Sequence, residues 1–161
     1  MEFTVKTKLD LSGFREVENA CKALSKKVEV GILHDAEEAK IASLQHYGGT
    51  GVYQYGPFKG QEVDVPPRPF LSHAMDFYGK DILKQEAQKL ERGFTAENAE
   101  SILNETGKNL MYATQETIRE YAGHQHAYPY NSERTVETKG KDSPLIDTGK
   151  MLSSIEYEVT E

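Results

Sequence analysis

The segment from Asn131 to Val159, NSERTVETKGKDSPLIDTGKMLSSIEYEV, restricts the fold more than any other part of the chain, because turn residues punctuate it at close intervals. Thr135 and Val136, both β-branched, open an expected extended run. Lys139-Gly140-Lys141 turns the chain, and Pro144-Leu145-Ile146-Asp147-Thr148-Gly149 makes a second, tight structural corner. Within that corner Asp147 can accept from amides two or three residues on, as an Asx-turn does, and Gly149 can supply a positive φ. Ile155, Tyr157 and Val159 then alternate with Glu156 and Glu158, the period-two pattern of a half-buried strand. The segment specifies backbone rather than catalytic chemistry.

The remainder of the chain reads as alternating strands and helices. Phe3, Val5, Thr7 and Leu9 predict a first strand, and Val28, Val30 and Ile32 a second. Between them Ser12 is a candidate N-cap for a helix whose apolar stripe is Phe14, Val17, Cys21 and Leu24, ended by Lys26-Lys27. Asp35 caps a short helix expected to bury Ala39, Ile41 and Leu44, which Tyr47-Gly48-Gly49 terminates. Residues 48–64 form a glycine-rich arm in which VYQY and QEVDV predict two short strands around Gly56-Pro57-Phe58-Lys59-Gly60. Tyr53, Tyr55 and Phe58 are costly to leave in water, so this arm is expected to be flexible and to be ordered by a partner. Val65 to Pro69 must be extended, since proline restricts its own φ and the residue before it.

Two long helices come next. Phe70, Leu71, Ala74, Met75, Phe77, Tyr78, Ile82, Leu83, Ala87 and Leu90 make one wide apolar face. Gly93 interrupts it, Thr95 is the next N-cap, and a second stripe runs through Ala99, Ile102, Leu103, Thr106, Leu110, Ala113, Ile118 and Tyr121, with a weak spot at Gly107. Their short connection predicts antiparallel neighbours. The expected fold is a single α+β domain over residues 1–161, with a small mixed or antiparallel sheet packed on two long amphipathic helices and a protruding loop or β-hairpin.

Composition narrows the function. Nineteen Lys and Arg against twenty-six Asp and Glu give a net charge of −7, so the chain lacks the basic field that phosphate backbones require. Cys21, the single cysteine, excludes an internal disulfide and a multi-cysteine zinc site; its place on a helical stripe predicts a buried small hydrophobe. MEFTVKTKL has neither a basic nor an apolar leader region, and no apolar run approaches the ~20 residues of a membrane span. A soluble protein made in the cytoplasm is expected.

Candidate chemistry is thin. His124 and His126 could contribute two metal ligands but bring no third with them, and a polar loop is the better reading. GGTGVYQYG lacks the Lys-Ser/Thr of a phosphate loop and the strand–turn–helix setting of a dinucleotide site. No HExxH and no GxSxG occurs. No catalytic residue, cofactor or metal is therefore assigned. Tyrosines are more informative, because Tyr47, Tyr53, Tyr55, Tyr128 and Tyr130 all fall in expected loops, a distribution suited to interfaces.

Two boxes in order resemble the neck and tail-completion (virion morphogenesis) proteins of long-tailed bacteriophages. The first is Pro66-Pro67-Arg68-Pro69-Phe70-Leu71, preceded by Val28-Glu29-Val30-Gly31-Ile32 and Gln45-His46-Tyr47-Gly48; the second runs from Asn131-Ser132 through Thr135, Lys139-Gly140 and Pro144–Gly149 to Ser154-Ile155. Pro129-Tyr130 stands where a proline pair is usual in that family, and His46-Tyr47 where a glutamate is common. The resemblance implies a structural virion subunit, without enzymatic activity, that forms a homo-oligomeric ring at the top of the tail in head–tail joining. A hexamer is expected, with a dodecamer as the alternative. Its implied partners are itself, a head-completion or connector protein, and a tail terminator or tube protein, with DNA passing through the lumen unbound. Tyr53, Tyr55, Phe58, Pro66, Pro67, Arg68, Pro69 and Phe70 are the candidate assembly interface, although Arg68 could equally pair within its own subunit. The alternatives are a tail assembly factor that leaves before maturation and a small metal-dependent hydrolase.

Overall fold

The computed structural model describes residues 12–123 and 129–161. The expected strand Phe3 to Leu9, the pair His124 and His126, and Tyr128 lie outside the described residues. The architecture is α+β: helices α1 (Ser12–Leu24), α2 (Ala36–Tyr47), α3 (Phe70–Ala74), α4 (Lys80–Leu90), α5 (Ala96–Ala122), α6 (Glu133–Lys139) and α7 (Lys150–Ser153), with strands β1 (Lys27–Gly31), β2 (Gly49–Val52), β3 (Glu62–Val65) and β4 (Glu156–Thr160). Among the described residues the strands make two antiparallel pairs, β1 with β4 and β2 with β3. The C-terminal strand pairs with the strand that carries Val28 and Val30, with Val28 opposite Val159 and Val30 opposite Tyr157.

Helix α5 is the spine. Thr95 caps it by accepting from the Asn98 amide, and the expected stripe is the buried one, with Ala99 and Ile118 fully buried. The weak spot at Gly107 is a close approach. A Cβ there would lie 2.3 Å from Tyr157 Cδ2, so only glycine lets β4 lie this near to α5. Helix α4 runs antiparallel to α5, as shown by the successive pairs Tyr78–Glu120, Glu86–Asn109 and Lys89–Glu105.

The helix preceding α5 does not bury the face its sequence suggests. A π turn at Met75–Gly79 joins α3 to α4 and rotates the C-terminal part of this helix about its axis. Phe70, Ala74 and Gly79 are buried, whereas Met75, Phe77 and Leu83 are about half exposed and Glu86 takes an inward position. Glu86 is held there by Lys89 Nζ at 2.8 Å and by Asn109 Nδ2 at 3.1 Å. A second correction concerns α1, which packs on α5 through Ala20 and Ala23. Small residues permit the closest approach, and Phe14, Val17 and Cys21 remain exposed, so Cys21 is not the buried hydrophobe expected. A third concerns α2. Asp35 caps it through the Glu37 and Glu38 amides as expected, but Glu38, Ala42 and His46 face inward instead of Ala39, Ile41 and Leu44.

The fourth correction falls on the C-terminal segment. Thr135 and Val136 lie in α6 rather than in an extended run. Ser132 Oγ accepts from the Thr135 amide, and Gly140 closes the helix at φ 71° with its amide on the Val136 carbonyl. A start signal and a stop signal flanking a seven-residue helix outweigh the β preference of two residues between them. The core links this segment to the proline box: Ala42, Phe70, Ile118, Tyr121, Leu145, Met151 and Ile155 form one buried cluster.

Candidate functional site

The two boxes meet. Phe70 is fully buried in the shared core, and Arg68, two residues before it, is 3% exposed. The Arg68 guanidinium donates to the Pro129 carbonyl at 3.1 Å, to Gln45 Oε1 at 3.0 Å and to the Tyr130 carbonyl at 3.2 Å, with Asn131 Oδ1 at 3.5 Å. Asn131 in turn donates to Asp142 at 3.0 Å. The backbone repeats the tie, the Arg68 amide donating to the Gln45 carbonyl at 2.8 Å. Of its two possible uses, the fork of Arg68 thus serves its own chain, clamping the end of α2 and the approach to α6 onto the proline connector. Gly48 makes this junction possible. Its φ is 74°, and a Cβ would stand 2.9 Å from Pro67 N and from Val65 O.

Above the clamp the hairpin, α2, α6 and the Pro144–Gly149 corner enclose a groove of ≈ 760 Å³. Its apolar walls are Ile41 and Leu44 from α2, Val63 and Val65 from the hairpin, and Leu145 and Met151 from the C-terminal side. The aromatic residues of the 48–64 arm are used within the chain. Tyr53 is 9% exposed, its hydroxyl 3.2 Å from Thr135 Oγ1 and its ring 5.8 Å from that of Phe58. Arg134 of α6 lies 5.2 Å above the Phe58 ring. The Tyr55 hydroxyl donates to Asp147, latching the arm to the corner; burial and then this carboxylate push its pKa up to about 12, so it stays a donor. Asp147 is therefore not the Asx-turn expected of it. Thr148 does that work, its Oγ1 accepting from the Lys150 amide at 3.2 Å, and Gly149 supplies the anticipated positive φ of 85°.

Three cations, Arg68, Lys139 and Lys150, line the groove together with the carboxylates of Glu38, Asp64 and Asp147. Burial pushes the pKa of both Arg68 and Lys139 down. Lys139 Nζ donates to the Ser143 carbonyl at 2.6 Å, and the carboxylates of Asp147 and Asp142 lie near enough to oppose part of the effect of burial, Asp142 doing the same for Arg68. Lys150, at the rim, is different: it bridges Asp35 and Glu38, each at 3.1 Å. Beneath the groove floor Tyr121 and His73 are bonded at 2.6 Å, and burial lowers the pKa of His46, whose Nε2 lies 3.4 Å from Ser72 Oγ.

Of the candidate interface residues, Tyr53, Tyr55, Pro66 and Arg68 line the groove, and Phe58 braces Tyr53. Pro67 and Pro69 only shape the connector, and Phe70 is core. From the corner, Leu145, Asp147, Thr148 and Gly149 line the groove, while Pro144 is buried and Ile146 packs on the core. Sequence reasoning missed Ile41, Leu44, Thr135 and Lys139. A signal was present in α2, where Ile41 and Leu44 lie on a different side from Ala42 and His46. Among the described residues no group of three His, Cys, Asp or Glu side chains is placed to hold a metal, and no helix is long and apolar enough to cross a membrane. Compared with protein-family models, with curated proteins and with solved structures, the chain finds no match.

Proposed function

We propose that the chain is a structural virion protein, a tail-completion or neck subunit that joins a phage tail to the head connector as part of a ring. One observation carries this reading. The two boxes on which the resemblance rests are joined through Arg68, which bonds Pro129 and Tyr130 immediately before the second box and reaches Asn131 within it, and they share the core through Phe70 and Leu145. They are parts of one structural unit, so their joint occurrence in order is a single pattern with a physical reason, not two coincidences. The groove they frame carries apolar side chains and Tyr53, Tyr55 and Tyr130, interleaved with the charged pairs of its rim and walls. In this reading the subunit acts by shape and contact and turns over no substrate.

Quantitative mass spectrometry of purified particles tests it. A neck component is retained at constant copy number per virion, and a reconstruction of the neck places its density between head and tail. Its absence from mature particles, with failed assembly in its absence, would identify an assembly factor instead.

A further inference from the structure

His46 is a polar side chain in an apolar position. It lies on the inward side of α2 and is 7% exposed, its ring edge-on to Tyr47 at 4.6 Å and to Phe70 at 5.5 Å. Its Nε2 meets the Ser72 hydroxyl of α3 at 3.4 Å, and its Nδ1 is buried with no partner among the described residues. A neutral imidazole carries one N–H and one lone pair, so either tautomer leaves one nitrogen unsatisfied here. An imidazolium would leave a charged donor unsatisfied, which costs far more. The surroundings offer that charge nothing. On α3 the neighbouring titratable group is His73, itself bonded to the Tyr121 hydroxyl of α5; on the connector the charged group is Arg68, and on α2 the neighbour is Tyr47. The inward carboxylate of α2, Glu38, lies about two turns back and is taken by Lys150. Burial first and then His73 hold the imidazole below its ordinary titration range, and no carboxylate acts in the opposite direction.

The place of this residue gives its charge a mechanical consequence. Gln45, just before it, is bonded twice to Arg68: its side chain accepts from Nη1 at 3.0 Å and its carbonyl from the Arg68 amide at 2.8 Å. The last turn of α2 is thus tied to the connector by Gln45 and packed on it by His46, while Ala42 holds the preceding turn in the core. We propose that His46 is a proton-operated catch at the joint between α2 and the proline connector. Neutral, it stays packed on Phe70 and Ser72 and the joint is closed. Protonated, it moves out to water, and the last turn of α2 leaves Arg68 while α5 and the β1–β4 pair stay folded. Leu44 belongs to that turn and to the groove wall, so the proton also reshapes the groove. The open population gains up to tenfold for each unit by which pH falls below the free imidazole value of about 6.5, until the closed state itself titrates. This inference goes beyond the virion reading and does not depend on it.

The test uses the full chain and two variants, His46→Phe and His73→Gln, each first checked for a cooperative melt at neutral pH. Imidazole shifts and amide relaxation dispersion are followed by NMR from about pH 7.5 to about pH 5, the range in which histidine titrates. His46 is expected to titrate below about 6.5. Exchange at Leu44, Gln45, Arg68 and Phe70 should grow with the same midpoint, while Val30 and Ile118 stay unchanged. His46→Phe fills the site and cannot charge, so it should abolish that growth. His73→Gln removes the facing imidazole and should raise the His46 midpoint, a shift that a merely structural role would not produce. A His46 that titrates at or above about 6.5, exchange that still grows in His46→Phe, or unfolding of the whole chain at the His46 midpoint would each overturn the catch. Should His46→Phe fail to fold, the His73→Gln variant decides, and an unmoved or lowered His46 midpoint there overturns the proposal.

Discussion

Replacing Arg68 by methionine removes the clamp while keeping most of the side-chain volume. Three bonds of 3.0 to 3.2 Å from a charged donor are lost, to Pro129, Gln45 and Tyr130. Hydrogen bonds to charged groups contribute about 1.5–3 kcal/mol each, but they are not additive, and the substitution also relieves the desolvation of a cation that is 3% exposed. A net loss of about 3–5 kcal/mol results, a large part of the ~5–15 kcal/mol available to a domain. With about 2–4 °C per kcal/mol for a chain of this size, the melting temperature should fall by about 6–20 °C. Arg68→Lys should recover less than half, because one ammonium cannot reach both Gln45 on α2 and Tyr130 before α6. Urea unfolding followed by circular dichroism and tyrosine fluorescence gives the free energy, the chain having no tryptophan. Amide exchange adds the location, since protection over residues 129–142 should fall more than protection in α5. Arg68→Met within about 0.5 kcal/mol of the natural protein, at unchanged m-value, would refute the clamp.

Gly107→Ala should destabilise by about 1–3 kcal/mol, the overpacking of a Cβ 2.3 Å from the Tyr157 ring exceeding the gain of about 1 kcal/mol in helix propensity, and Tyr157→Leu should restore part of the loss; thermal melts of the two single variants and the double variant decide. Deleting residues 151–161 removes Met151 and Ile155 from the core and leaves β1 unpaired; at about 1.5–3 kcal/mol for each fully buried side chain, cooperative melting should disappear. His46 titrates below its ordinary range because burial disfavours its charged form, so its contribution is present above the unfolded-state value of about 6.5 and is lost as pH falls below it; a His46→Phe variant should lack that part of the acid destabilisation when unfolding curves are compared from neutral to mildly acidic pH. Alanine at Tyr53, Tyr55 and Phe58 together should weaken the isolated subunit, since Tyr53 is buried and all three touch α6 or the corner; amide exchange in α6 is the readout, and unchanged protection there would place these residues outside the subunit's own stability.

Where residue spacing and capping agreed, the fold was legible. The α5 stripe, the Thr95 and Asp35 caps and the strands within QEVDV and IEYEV are consequences of local pattern, whereas the other hairpin strand is Gly49–Val52 instead of the expected VYQY. Legibility failed where two local signals competed or where a tertiary contact chose between them. In α6 the Ser132 cap and the Gly140 stop prevail over the β-branched pair Thr135-Val136. In α2 the inward side is chosen by His46, whose ring packs edge-on to Phe70 at 5.5 Å, a contact invisible in sequence. The π turn at Met75–Gly79 re-phases the helix that carries Phe77 and Leu83, and no residue of MDFYG announces it. The candidate site was half legible. Its proline box and its corner were both visible, but that they share one groove depends on Arg68 reaching across to residues 129–131.

Leu145 shows how closely core and groove are joined. At φ 64° it is the only non-glycine with positive φ among the described residues, and a side chain in that region costs about 1–3 kcal/mol. Glycine would relieve this strain but would leave a hole between Ile155, Met151 and Phe70, where Leu145 is 8% exposed. Burial of the side chain therefore holds the backbone in a conformation it would otherwise leave. That conformation directs the next residues outward, so that Asp147 meets Tyr55 with its carboxylate and Lys141 Nζ with its carbonyl at 2.7 Å. The corner is strained at its base by the core and latched at its tip by the hairpin. Its shape, and with it the wall of the groove, is thus coupled to the stability of the domain.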